Sequence, residues 1–400
     1  MQMNLPLAGL RVLDLSRALA GPFCAMILAD LGADVIKIEP TPIGEMVRGW
    51  GPFKENISVY YLSIHRNKRS LAVNFRDPEG LELIRTLADR ADILVENFKP
   101  GAMGDMGLDF AALNTRNPRL IYASITGFGT SGPYGGWPGV DQIAQGMSGL
   151  MSLTGQGATG PTRVGIPIGD VVAGMWTALG IQAAVIQRMS SGKGQLVETS
   201  LLAGLIGLLT VQGQRQLTLD DTPGVAGNDH PVIYPYGMFE ANDGPFNMAA
   251  ATEDMWVKLC GLTGMQDWIA HPDYRDNAAR SRNREAVKAR LNAVFATRGK
   301  MDWTLDLVRL GLPAGPIFTL DQVFADPHVL QTGIIEEIEH PTLGILRLIA
   351  NPIRMEGLSG RSVRSAPPLL GADSRQVLAE FGITPERIEA LSAAGTIQSA

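Results

Sequence analysis

Apolar positions in the first part of the chain fall into short clusters separated by longer amphipathic segments. Residues 10–15 (LRVLDL) are rich in leucine and valine and stop at Ser16-Arg17. Beyond Gly21-Pro22 the spacing becomes helical as far as Leu31; Gly32 ends it, and 33–38 (ADVIKI) is a second apolar run closed by Glu39-Pro40. A strand, a helix and a strand within about thirty residues predict a βαβ unit and therefore a parallel sheet. The same alternation predicts a strand over 70–74, a helix over 77–89 and strands over 92–95 and 120–124.

The texture then changes. Between residues 127 and 160 there are 11 glycines, too many for long regular elements, so this stretch reads as loop with short helical pieces. A helix follows over 171–189, stopped by Ser191-Gly192-Lys193-Gly194, then a strand over 196–198. The apolar run 201–211 is shorter than the roughly 20 residues of a membrane span and predicts a buried helix. Pro, Gly, Asn and His crowd 221–235, which marks a domain boundary. Residues 225–325 read as a separate α/β segment with a hairpin turn at Asn242-Asp243-Gly244. Strand patterns return over 333–339 and 345–349, and a helix is predicted over 373–381.

A length of 400 residues suits two domains. At 45% hydrophobic and 18% charged the composition is that of an ordinary globular protein. The net charge of −6 argues against a general nucleic-acid binder, though not against a small polyanion held by a local basic cluster. Cys24 and Cys260 form no paired motif, so a reducing, cytoplasmic setting is expected. Residues 1–4 lack the basic and apolar segments of a signal peptide, and no membrane association is expected.

The first βα turn, Ser16 to Pro22, lies where open α/β sheets bind ligands but lacks the glycine pattern of a dinucleotide site. That pattern does occur at Gly155-Gln-Gly157-Ala-Thr-Gly160, followed by Pro161 rather than a helix, so its context fails. Asp170, in the segment GIPIGDVVAG, admits two readings. It is a favoured N-cap for the helix after it. Equally, a carboxylate held as the anion by a helix N-terminus, with Gly169 and Gly174 leaving space, can act as a nucleophile toward a thioester. Lys37, Arg48, Arg66, Lys68, Arg69, Arg76 and Lys99 form a basic group able to meet phosphates. No HExxH, GxSxG or Walker A motif is present, the five histidines are scattered, and no metal is expected.

Several segments, in shared order, resemble the class III CoA-transferases. They are 10–22 (LRVLDLSRALAGP), 31–39 (LGADVIKIE), 67–70 (NKRS), 95–101 (VENFKPG), 165–174, 192–195 (GKGQ) and 227–236. The resemblance spans nearly the whole chain. It implies an α/β fold: a Rossmann-like large domain built from 1–224 and completed by 326–400, a smaller α/β domain over 225–325, and an interlocked homodimer. It implies CoA transfer between carboxylic acids through Asp170 as nucleophile, with an aspartyl-CoA thioester intermediate and no further cofactor. The partners implied are acyl-CoA and carboxylic acid substrates. CoA contacts are implied at Ala18, Leu19, Val73, Arg76, Asn97, Phe98, Lys99, Met106 and Asp141. Asp105 stands where formyl-CoA transferase has a CoA-binding arginine. Leu19 stands where it has a glutamine, and no run of four glycines occurs near residue 260; both departures count against oxalate and formate. Succinyl-CoA or another dicarboxylyl-CoA is the expected donor, with Arg17 and Arg48 as candidates for a second carboxylate. The related α-methylacyl-CoA racemases, the alternative reading, carry a His-Asp pair where this chain has Val140-Asp141; with valine there, a two-base proton shuttle lacks a partner.

Overall fold

The computed structural model describes residues 5–356 and 360–399. By contact the chain divides into two units. The first comprises the residues up to Leu150, Arg163–Asp221 and those from Thr332 onward; the second comprises Met151–Thr162 and Thr222–Gln331. The glycine-rich stretch is thus shared, its 151–162 part belonging to the second unit.

The first unit is built on a seven-stranded sheet: β1 (Arg11–Asp14), β2 (Asp34–Pro40), β3 (Lys68–Val73), β4 (Ile93–Glu96), β5 (Ile121–Thr126), β6 (Leu196–Ser200) and β7 (Ile397–Gln398), in the order β7-β3-β2-β1-β4-β5-β6. The first six strands pair in parallel; β7 runs antiparallel to β3, with Ile397 opposite Val73. Side chains alternate between two cores, as the two-residue period of a strand requires. Leu13, Ile36, Leu71, Leu94 and Tyr122 enter one; Val12, Val35, Ile93, Ile121 and Ala123 enter the other. With both faces covered, these strands read as continuous apolar runs, which is why they were legible in sequence.

The second core is closed by helices α1 (Ala20–Asp30), α2 (Asp141–Met147), α3 (Ile168–Ser191) and α4 (Leu201–Gly207). α1 and α3 meet at Gly174, where a Cβ would come within 2.6 Å of the Ala20 carbonyl oxygen. Gly169 likewise faces Asp141 and Leu205. These two glycines therefore serve close packing rather than giving room to a substrate. Among the described residues α3 alone is long and apolar enough to cross a membrane; here it packs on α1 and the sheet.

Several boundaries differ from expectation. α3 begins at Ile168, not 171. The apolar run 201–211 divides between α4 and a helix at Thr210–Leu219, leaving Leu208 and Val211 exposed. The helix expected over 373–381 is Ser374–Glu380, and a further helix, Pro385–Ala393, follows it. In the second unit the expected turn joins strands Tyr236–Ala241 and Gly244–Ala249, over a core that includes Phe239, Phe246, Trp256, Phe295 and Trp303.

Strands β1, β2 and β3 succeed one another in one direction across the sheet, and β4, β5 and β6 in the other. The loops after β1 and β4 consequently part, opening a crevice at the carboxyl edge.

Candidate active site

Asp170 lies in the first turn of α3, not at its cap; the residue before the helix is Pro167, which has no capping side chain. The helix end is held from elsewhere. Asp141, buried at the start of α2, accepts a hydrogen bond from the Gly169 backbone N–H at 2.8 Å through Oδ1. Its Oδ2 accepts from Gln145 Nε2 at 2.8 Å, and Gln145 Oε1 accepts from the Val164 N–H at 2.9 Å. One carboxylate and one carboxamide thus fix both the helix end and the segment leading into it.

The Asp170 carboxyl is half-buried and, among the described residues, receives neither a hydrogen bond nor an ion pair. Burial, and secondarily the charge of Asp141, push it up to about 7. The helix N-terminus favours its anion, but desolvation and a like charge win. Tyr60 faces the same region: burial, then Asp170, raises its phenol to about 12. Its ring meets Trp50 edge-on at 5.4 Å between centroids.

The β1–α1 turn separates Asp170 from a recess. Leu19 is buried with Phe23, Tyr60 and Val171 on the Asp170 side. Ala18 has φ of +61°, and its N–H donates to Glu45 Oε1 at 2.9 Å, which holds this left-handed residue in place. Arg17 points the other way, its guanidinium 4.6 Å from the centre of the Phe98 ring. Beyond it is a cavity of about 200 Å³, lined by Leu15, Ile38, Pro40, Phe75 and Phe98, with Lys37 and Glu45 at its polar wall. Phe75, Phe98 and Met106 pack on the core beneath.

Most of the basic group is spoken for within the first unit. Lys68 donates to Asp14 at 2.8 Å, and Lys37 lies 3.6 Å from the same carboxylate; all three are fully buried. Arg66 pairs with Asp30, and Arg69 with Asp34 and Glu380. Arg48 donates twice to Glu39, at 2.7 Å each, and once to the Tyr61 hydroxyl at 2.6 Å. Arg48 is therefore not available for a substrate carboxylate, a correction to the sequence reading. Arg17, Arg76 and Lys99 are exposed, and none forms an ion pair with another described residue. They follow β1, β3 and β4, at the carboxyl edge.

The remaining sequence candidates are placed as follows. Asn97 bonds the Arg17 backbone and borders the same turn. Val73 is wholly buried, and its carbonyl accepts from the Thr41 N–H, so the contact expected there is corrected. Met106 ends the short helix Ala102–Asp105. Asp141 is consumed by its two hydrogen bonds. Tyr60, Glu45 and Phe75 were missed. For Tyr60 a weak signal existed, an adjacent tyrosine pair in a chain only 6% aromatic.

The β1–α1 turn thus has on one side a carboxyl without a hydrogen-bond partner among the described residues and on the other an apolar recess with Arg17 in its lining. The family model described as CoA-transferase family III matches residues 7–374, and the chain belongs to that family; it is a CoA-transferase. It is 37% identical to the succinyl-CoA:glutarate CoA-transferase of Mus musculus, over 98% of this chain and 90% of that one. It is 37% identical to the succinyl-CoA:mesaconate CoA-transferase of Haloarcula marismortui, over 94% and 96%. A crystal structure of a CAIB/BAIF family protein from Brucella suis superposes with a TM-score of 0.84 at 38% identity, over 94% of this chain and 100% of that one.

Proposed function

We propose that this enzyme moves CoA from succinyl-CoA, or a similar dicarboxylyl-CoA, to a second dicarboxylic acid, with Asp170 as the nucleophile. The Asp170 carboxylate attacks the thioester carbonyl, giving a mixed anhydride and CoA thiolate. The thiolate attacks the aspartyl carbonyl; an aspartyl-CoA thioester forms, and the donor acid leaves with one Asp170 oxygen. An acceptor carboxylate runs the steps in reverse, so a single difficult transfer is divided into easier ones. The observation that carries the reading is the Asp170 carboxyl, unpartnered among the described residues, one side of the Arg17–Leu19 turn away from the Phe75–Phe98 recess.

In this reading the recess takes the nucleotide end of CoA. Arg76, Lys99 and Arg17 meet its phosphates, while Ala18, Leu19, Asn97, Phe98, Met106 and Asp141 border its path. The names of the relatives support dicarboxylates as substrates. An exposed apolar face on α3 (Met175, Trp176, Leu179, Ile186 and Met189) supports a homodimer, since a monomer rarely leaves such a surface open. The interlinked form follows the family resemblance.

The test is Asp170→Ala assayed with succinyl-CoA against glutarate, mesaconate and other diacids, following new thioesters by chromatography. Transfer should fall more than about a thousandfold with CoA binding retained. Undiminished transfer would refute the assignment.

A further inference from the structure

Two carboxyl groups on adjoining helix starts have been dealt opposite environments. Asp141 is nearly enclosed, and both of its oxygens are acceptors: one for the Gly169 N–H, the other for Gln145 Nε2. Asp170, in the helix turn that Asp141 holds, is given no donor among the described residues. The other titratable group facing it is the Tyr60 phenol, from the helix Val59–Ile64; Glu45 bears on Tyr60 from beyond. Among the described residues no Lys, Arg or His side chain pairs with Asp170. Of the two carboxyls, Asp141 is thus held by two donors and Asp170, among the described residues, by none.

We propose that Asp141 is a positioning residue that also acts electrostatically: it fixes the first turn of α3 and, by its charge, drives Asp170 toward the covalent intermediate. The inference rests on the reading of Asp170 as the nucleophile. Its logic is charge balance. Before reaction the Asp170 anion sits beside another anion. In the aspartyl-CoA thioester that position is neutral, and the negative charge has departed on the donor carboxylate. Repulsion present in the free enzyme is absent from the intermediate, so the acylated state gains relative to it. The same repulsion makes the free carboxylate more basic and more nucleophilic toward the thioester carbonyl. A neutral oxygen at the Asp141 position can still accept from Gly169, at the loss of the Gln145 contact, but would lack this effect.

The test uses the full-length enzyme with succinyl-CoA and succinate at fixed ratio. The aspartyl-CoA fraction is read by mass spectrometry of the intact chain, and the single-turnover acylation rate is followed against pH. Asp141→Asn and Asp141→Ser each keep a capping oxygen and remove the charge; Asp141→Glu restores it. In the two neutral variants the midpoint of the pH profile should move down by about one pH unit, and the equilibrium ratio of thioester to free enzyme should fall about tenfold, the same free energy seen twice. Asp141→Glu should return both toward wild type. Neutral variants that fold and keep the wild-type midpoint and ratio would overturn the proposal; so would failure of both neutral variants to fold, which would make Asp141 a structural cap alone. Absence of any thioester in the wild-type enzyme would instead strike the nucleophile assignment itself.

Discussion

Asn97 pairs with the backbone of Arg17 as a strand would: its Oδ1 accepts from the Arg17 N–H and its Nδ2 donates to the Arg17 carbonyl, both at 2.7 Å. This joins the loops that part after β1 and β4. Asn97→Ala removes both bonds and frees the turn carrying Arg17, Ala18 and Leu19. Two such bonds contribute roughly 1–2 kcal/mol. The KM for the acyl-CoA should rise about tenfold, with a melting temperature lowered by only a few degrees. An unchanged KM would show that the pairing does not support the binding surface.

Asp170 should be a stability liability at alkaline pH. Its carboxyl is raised in the folded protein from 3.8 to about 7, so the native state binds this proton more tightly than the unfolded chain. Ionising it therefore disfavours folding. The cost is absent below about pH 4, grows as pH rises toward 7 and is complete above it. The full shift corresponds to about 4 kcal/mol; a half-buried side chain keeps part of its water, leaving about 2 kcal/mol. Asp170→Asn should melt several degrees above wild type at pH 8 and match it near pH 4. Catalysis runs the other way: if the anion is the nucleophile, transfer should increase through pH 7 and level off above it.

Lys68→Met tests the buried charges beneath the recess. Burial alone would raise Asp14, but Lys37 and Lys68 outweigh it and hold the carboxyl below its ordinary range. Removing one of the two partners leaves a fully buried anion under-compensated, at a cost of about 3–5 kcal/mol. Urea denaturation should register this as a large fall in midpoint. A shift of a few tenths would mean that Lys37 suffices.

Gly174→Ala sets two effects against each other. Helix propensity favours alanine by about 1 kcal/mol. The new Cβ, however, would lie 2.6 Å from the backbone oxygen of Ala20, and neither helix can yield without disturbing the core between them. Overpacking of this kind costs about 1–3 kcal/mol, so net destabilisation is expected, visible as a lower melting temperature.

How far the sequence could be read depended on whether the deciding partner was near in the chain. β1 and β2 were plain because a strand covered on both faces must be apolar throughout. The start of α3 was misplaced because a local rule assigns the cap to the nearest Asp; the group that serves the Gly169 N–H is Asp141, on another helix. The basic residues were over-read for the same reason. Asp14, Asp30, Asp34 and Glu39, which neutralise most of them, lie on other elements. Asp170 itself stood out only through family resemblance, since nothing in its own segment distinguishes a nucleophile from a cap.

The pairing of Ile397 with Val73 bears on how the chain is assembled during synthesis. β3 leaves the ribosome early, yet the strand that covers its outer edge lies far downstream of it in the chain. All of Thr222–Gln331 is translated in the interval, so the second unit can fold while the sheet of the first still has an open border. A ribosome stalled shortly before residue 397 would display a nascent chain with that border bare, open to chaperones or to a stray strand.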